Sequence, residues 1–360
     1  MMFGKKKAGA IAAGLSLVMA LSPVAALADA PNLNGAGGVK VTKVMQANTG
    51  SSFSKTFTFS ASRIQLTGTS AAEKNKTPEI ASVSVDETGA GTLTTDAFGF
   101  ANAVYPHAGV YGYEVKEVRA EGDTHLRADQ RDLMTYDDSV YTVYVWVVNK
   151  QGGGTEIQAV TAVKGTEAQP AIPDQDATKS TSLSFTNSYW EYGNPDTPDN
   201  KGVDLKVDKV LSGNFVNTTA DWHFNVSFDT TGLVMPEDNV MQYQIVSTGS
   251  DPVEADWKAL PENGKYTLKG GQQILFKNVV AGTKYTVTED EAKSDGYGTE
   301  GEVKTATTIT DQGNSATVTN TKNNTVVTGV IVNNAPFIVM IGAAAAGVVA
   351  YGSAKRKLEK

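Results

Sequence analysis

What most constrains the fold of this chain is a period of two. Between residues 31 and 324, short runs rich in Val, Thr, Tyr and Phe recur between clusters of Gly, Asn, Asp and Pro. They fall at 39–44, 56–60, 111–118, 140–148, 183–189, 203–211, 223–228, 241–246, 285–289 and 316–320. Helical periodicity is hard to find in the same span, so the sequence predicts an all-β protein built from sandwiches. The span is long enough for two ordinary cores rather than one.

The chain divides into two halves that repeat a pattern. The stretch 191–202 has turn and linker composition with no apolar period, which sets a boundary between a β-sandwich over 31–190 and a second over 203–324. A loop at 164–179, with Gly165, Pro170 and Pro173, is expected to lie exposed near the end of the first. Each half opens with an alternating strand ending in Lys, at Lys43 and Lys209. Each has a Tyr-containing strand ending in Glu, at Glu117 and Glu289, and closes on Thr-Asn, at Asn187 and Asn320. Two copies of one domain type is the economical reading.

Parity places these six residues. Lys209 shares a strand face with Val203, Leu205 and Val207, and Lys43 with Val39 and Val41. Glu117 falls with Tyr113 and Val115, Glu289 with Tyr285 and Val287, Asn187 with Leu183 and Phe185, and Asn320 with Ala316 and Val318. All six are therefore expected on the core side, where an isolated charge is costly. Burial would lower the Lys pKa and raise that of the Glu, leaving a neutral amine, a protonated acid and a carboxamide. Such a trio can react: the amine attacks the Asn side-chain carbonyl, the Glu polarises that carbonyl and relays protons, and ammonia leaves. The product is an amide joining the first and last strands. Ordinary buried ion pairs with nearby turn asparagines are the alternative.

The ends carry addresses. Residues 1–30 read as a signal peptide, with Lys5, Lys6 and Lys7, an apolar run over 8–25 and small-residue cleavage patterns ending at Ala28 and Ala30. Residues 325–360 hold Thr325-Val326-Val327-Thr328-Gly329, an apolar transmembrane-length segment over 330–351, then Lys355, Arg356 and Lys357. Both ends are net basic while the whole chain is formally −8, so the exported part is strongly acidic and a poor partner for nucleic acid. With no Cys there is no disulfide and no thiol nucleophile, and any covalent staple must use other side chains.

These residues resemble the streptococcal pilin isopeptide-linkage proteins, the major pilins of the T-antigen type. The resemblance rests on residues 205–213, on Tyr285-Thr286-Val287-Thr288-Glu289-Asp290, and on Thr319-Asn320 leading into Val327-Thr328-Gly329 and Ala335-Pro336. It implies two tandem immunoglobulin-like, CnaB-type sandwiches with Lys43–Asn187 and Lys209–Asn320 isopeptide bonds, and Glu117 and Glu289 as catalytic acids. It further implies that a sortase cuts between Thr328 and Gly329 and joins Thr328 to a Lys of an identical subunit. Thr325 and Val327 stand where the family motif Glu-Val-Pro-Thr-Gly has Glu and Pro. The family's acceptor position matches Lys179 best, one residue out of register, with Lys164 second. The implied setting is a cell-surface pilus attached to the cell wall, its precursor transiently membrane-anchored, with minor pilins and a host surface as further partners in adhesion.

Two rival readings remain at this level. One is a monomeric wall-anchored adhesin with the same sandwiches and no working acceptor Lys. The other is an exported hydrolase using paired carboxylates, for which only His107, His125 and His223 supply imidazoles, without metal-ligand spacing. No metal and no cofactor is expected.

Overall fold

The computed structural model describes residues 32–33, 38–119, 122–165, 179–290 and 296–324. The signal peptide expected over 1–30 and everything expected of 325–360 lie outside the described residues.

The first sandwich uses nine strands. They are β1 (Val41–Ala47), β2 (Lys55–Arg63), β3 (Ile80–Glu87), β4 (Gly91–Thr94), β5 (Gly109–Val118), β6 (Asp132–Thr135), β7 (Val140–Asn149), β8 (Thr155–Lys164) and β9 (Leu183–Glu191), with a six-residue helix α1 (Ala71–Lys76) after β2. One sheet runs β4-β1-β9-β6 and the other β3-β2-β5-β7-β8. Inward residues alternate along each strand, as in β9, where Leu183, Phe185, Asn187, Tyr189 and Glu191 are all buried. Aromatic rings cross the gap between sheets, with Phe59 5.0 Å and Tyr141 5.3 Å from Phe185. The strand β7 is buried on both faces because Ile64 and Leu66, beyond the end of β2, fold over the outside of this sheet. Gly112 permits that approach, since a Cβ there would lie 2.6 Å from Leu66 Cδ2.

The second sandwich follows with β10 (Leu205–Ser212), β11 (Trp222–Asp229), β12 (Gln242–Ser247), β13 (Lys258–Ala259), β14 (Lys265–Leu268), β15 (Gln272–Lys277), β16 (Lys284–Glu289), β17 (Gly298–Glu300), β18 (Val303–Thr308) and β19 (Ser315–Thr321). Its sheets are β13-β12-β15-β10-β19-β17 and β14-β11-β16-β18. Leu205, Val207, Phe276 and Val318 from the first pack on Trp222, Phe224, Tyr285 and Val287 from the second.

In both sandwiches the first and last strands are parallel neighbours, β1 with β9 and β10 with β19. The last strand of one and the first of the next are joined through a bonded turn. Gly193 N–H donates to Val279 O (2.8 Å), Ala281 N–H to Glu191 O (2.8 Å), and Asn194 Nδ2 to Val203 O (2.8 Å). The Asn48 side chain just beyond β1 clasps the Val234 backbone in both directions, at 2.8 and 2.7 Å. Arg131 bridges to Asp204 at 2.7 Å. Strands β1 and β9 thus run towards this junction, while β10 and β19 run away from it.

Candidate functional site

The parallel pairing of first and last strands builds the same diagonal twice. Lys43 lies opposite Phe185 and Met45 opposite Asn187, so Lys43 and Asn187 sit two positions apart on one face of adjacent strands. In the second sandwich Lys209 lies opposite Val318 and Leu211 opposite Asn320. The facing sheet supplies the acid, Glu117 near the end of β5 and Glu289 at the end of β16.

Each acid touches both partners. Lys43 Nζ donates to Glu117 Oε2 (3.0 Å) and Oε1 (3.2 Å), and Asn187 Nδ2 donates to Glu117 Oε1 (2.9 Å). In the second trio Lys209 Nζ donates to Glu289 Oε2 (3.1 Å) and Asn320 Nδ2 to Glu289 Oε1 (2.9 Å). Lys43, Asn187, Lys209 and Asn320 are fully buried. Aromatic rings close over the amines: Lys43 Nζ is 4.5 Å from the Phe57 ring centre, and Lys209 Nζ is 4.5 Å from that of Trp222.

Loss of solvent works against charge on both partners. Burial pushes the Lys43 and Lys209 amines below the ordinary lysine range, although their Glu partners pull the other way. The same burial pushes Glu117 and Glu289 above the carboxylate range against the pull of the lysines. Both directions favour passing the proton from nitrogen to carboxyl, the state in which the amine is a nucleophile and the acid is neutral.

In one respect the geometry departs from the sequence reading. The sequence predicts a Glu that polarises the Asn carbonyl; here each Glu contacts the carboxamide nitrogen. The carboxyl therefore lies between the attacking and the leaving nitrogen, the place for a proton shuttle. The Asn187 carbonyl faces elsewhere, accepting the Asp137 N–H at 2.9 Å. Asp137 was not legible as a site residue. Its only local signal is an Asp two positions before Ser139, whose N–H its side chain accepts at 2.8 Å. Two further acids lie behind the trios: Glu87, buried and raised by that burial, and Glu302, whose Oε1 accepts the Glu289 N–H at 3.0 Å.

The two candidate acceptor lysines lie at one pole. Lys164 ends β8 and is exposed, with Nζ 5.7 Å from the Tyr141 ring centre. Lys179 precedes Ser180, whose N–H bonds Ala162 O at 2.8 Å. Since β9 starts at Leu183 and runs to the junction, both lysines lie at the far end of the first sandwich. Asn324, tied to Asn214 beyond the end of β10, lies at the far end of the second. Thr328 and Gly329 lie outside the described residues. Among the described residues no group of three or more His, Cys, Asp or Glu could hold a metal ion, and no helix is long and apolar enough to cross a membrane. The apolar segment expected over 330–351 is outside that set. His107 meets Glu73 at 3.0 Å on the surface, and His125 lies beside Asp132.

Comparison with known proteins gives matches for both halves. A family model described as the Spy0128-like isopeptide containing domain matches residues 39–190. A second, described only as a domain of unknown function, matches residues 203–322. A pilin of Streptococcus pyogenes serotype M1 is 27% identical over 283 residues, covering 75% of this chain and 72% of the relative. The crystal structure of the major pilin from Streptococcus pyogenes has 21% identity and a TM-score of 0.34, covering 79% of this chain and 98% of that one. A second major pilin structure from the same species, T3.2, has 22% identity and a TM-score of 0.33 over 81% of this chain and 98% of that one.

Proposed function

We infer from the match of residues 39–190 to the Spy0128-like isopeptide containing domain family that this chain is a structural subunit of a surface pilus. The pilin relative, covering most of both chains, supports that reading for the whole length. Two domains, 31–190 and 203–324 joined by 191–202, each close an internal amide, Lys43 to Asn187 and Lys209 to Asn320. Glu117 and Glu289 carry the proton from the lysine nitrogen to the departing ammonia.

The observation that carries the cross-links is the doubled trio. In each sandwich an acid bridges a buried amine and a buried carboxamide on the parallel first and last strands. Leaving such groups unreacted keeps charged or polar side chains out of water, whereas the amide is neutral and hydrogen-bonded. Each bond closes a loop of more than about 100 residues and stabilises by roughly 5 kcal/mol on a chain-entropy account.

Polymerisation uses the ends. A sortase cleaves between Thr328 and Gly329, after the exported precursor has been held at the membrane by 330–351, and joins Thr328 to Lys179 of the next subunit, with Lys164 as the second choice. Lys179 and Asn324, the last described residue before Thr328, lie at opposite poles, so the contact is head to tail and builds an open filament rather than a closed dimer. The filament ends covalently on the cell wall.

Intact mass of residues 31–324, which contain both cores, tests the internal chemistry: two bonds remove two ammonia units, and a full sequence mass refutes both. For the polymer, Lys179→Ala abolishes high-mass ladders on denaturing gels. Ladders that survive both Lys179→Ala and Lys164→Ala reject both acceptors, and an unaltered chain that forms none is a monomeric wall-anchored adhesin.

A further inference from the structure

The first trio has a part that the second lacks among the described residues. The Asn187 carboxamide is held at both ends: its nitrogen by Glu117 and its oxygen by the backbone N–H of Asp137 at 2.9 Å. A backbone N–H can only donate, so it fixes which end of the carboxamide is oxygen. The Asp137 side chain holds that N–H in place. Its Oδ2 accepts Thr186 N–H (2.7 Å), one residue before Asn187, and its Oδ1 accepts Ser139 N–H (2.8 Å). Burial pushes the Asp137 carboxyl up, but the Ser139 hydroxyl, these two N–H donors and the Lys164 charge outweigh it and hold the group below the usual carboxylate value. Asn320 Oδ1, by contrast, is buried with no hydrogen-bond partner.

We propose that the Asp137 backbone N–H is an oxyanion donor for cross-linking in the first sandwich, and that the Asp137 carboxylate positions it by tying its turn to β9. The proposal rests on the isopeptide reading above. The Lys43 Nζ lone pair forms a bond to Asn187 Cγ, and the carbonyl π pair moves onto Oδ1, where the Asp137 N–H meets the developing charge. Glu117 takes a proton from the new C–N nitrogen and delivers one to Nδ2. The oxygen lone pair re-forms the carbonyl as the Cγ–Nδ2 bond breaks, and ammonia leaves with Glu117 restored. A cavity of about 320 Å³ lined by Glu117, Tyr136 and Asp137 adjoins the trio and gives the ammonia a way out. A donor aimed at such an oxygen in a buried site needs no reorganisation during reaction, and loss of one typically slows an acyl transfer by about 10²–10³-fold.

The test follows ammonia loss after cell-free synthesis of residues 31–324, each site read separately by mass mapping of the cross-linked peptides. Asp137→Pro removes the N–H, and the first site is expected to close about 100-fold more slowly while the second closes on schedule in the same molecule. Its near-ultraviolet circular dichroism is compared with that of Asn187→Ala, which cannot close the first site. Asp137→Ala keeps the N–H but cuts its two ties, and is expected to slow the first site by at least about tenfold. A first site that closes in Asp137→Pro within twofold of the unaltered rate overturns the proposal while leaving the cross-link itself in place. If Asp137→Pro does not fold, the unaltered rate in a folded Asp137→Ala overturns it instead. Absence of both cross-links from the unaltered chain defeats the isopeptide reading, a different failure.

Discussion

Tension applied between residues 179 and 324 should meet two sandwiches that bear it in different ways. In the first, load enters just before Leu183 and leaves after Glu191, so β9 alone spans the sandwich and is already extended. In the second, load enters at β10 next to the junction and leaves from the far end of β19. Those strands are parallel partners from Lys206 with Ser315 to Ser212 with Thr321, so without a covalent tie they are pulled in shear. With the Lys209–Asn320 amide, load crosses from β10 to β19 through that bond and the residues between carry none. Asn320→Ala removes the tie and releases a loop of about 110 residues, which at about 3.5 Å each lengthens the chain by roughly 380 Å in one step. Asn187→Ala is expected to add no comparable step. Handles fixed at 179 and 324 in a single-molecule force experiment read both lengths. The reasoning fails if the unaltered chain shows the long step, or if Asn187→Ala gives a step like that of Asn320→Ala.

Glu117→Gln keeps the shape of the acid but removes its proton shuttle, so the first site should remain one ammonia heavier. Losing closure of a loop of about 140 residues costs about 5 kcal/mol. For a sandwich of about 150 residues that lowers its calorimetric midpoint by about 15 °C; a lost cross-link with an unmoved midpoint would contradict this. Asp204, fully buried at the junction, has its carboxyl pushed up by burial from 3.8 to about 6. Its contribution to stability is present below pH 3.8 and lost as pH rises through about 6, an advantage of about 3 kcal/mol at low pH. Asp204→Asn should remove that slope, seen as urea midpoints that differ less between pH 4 and pH 7 than those of the unaltered chain. Gly301→Ala should destabilise the second sandwich by more than about 2 kcal/mol, because Gly301 has φ +84° and a Cβ there would lie 1.9 Å from Thr317 O on β19; a denaturation midpoint within experimental error of the unaltered one would refute it.

The period of two carried far in the sequence because burial enforces it. A one-residue slip would turn Lys43, Asn187, Lys209 and Asn320 outward together with their apolar neighbours, so face could be read without any structure. It failed where burial is not alternating. The strand β4 is exposed throughout, β18 is mostly exposed, and β15 is buried on successive residues because both its faces are covered, so none offered a clean alternation. The helix α1 buries no residue and had no apolar stripe to find. Parity also gives a face and never an atom, which is why Glu117 could be assigned to Asn187 but not to its nitrogen. Composition is silent on the bonding of the segment after Glu191 for a related reason. Gly, Asn and Asp mark residues that leave the ladder, yet they bond backbone well: here Tyr192 is tied to Arg131 of the first sandwich, and Gly193 and Asn194 to Val279, Val203 and Asp204 of the second. The two trios recur because the topology recurs. A first and a last strand lying parallel side by side are the neighbours most distant in sequence, so a bond between them constrains the longest loop each sandwich contains. The bond therefore belongs where chain entropy and applied load both converge.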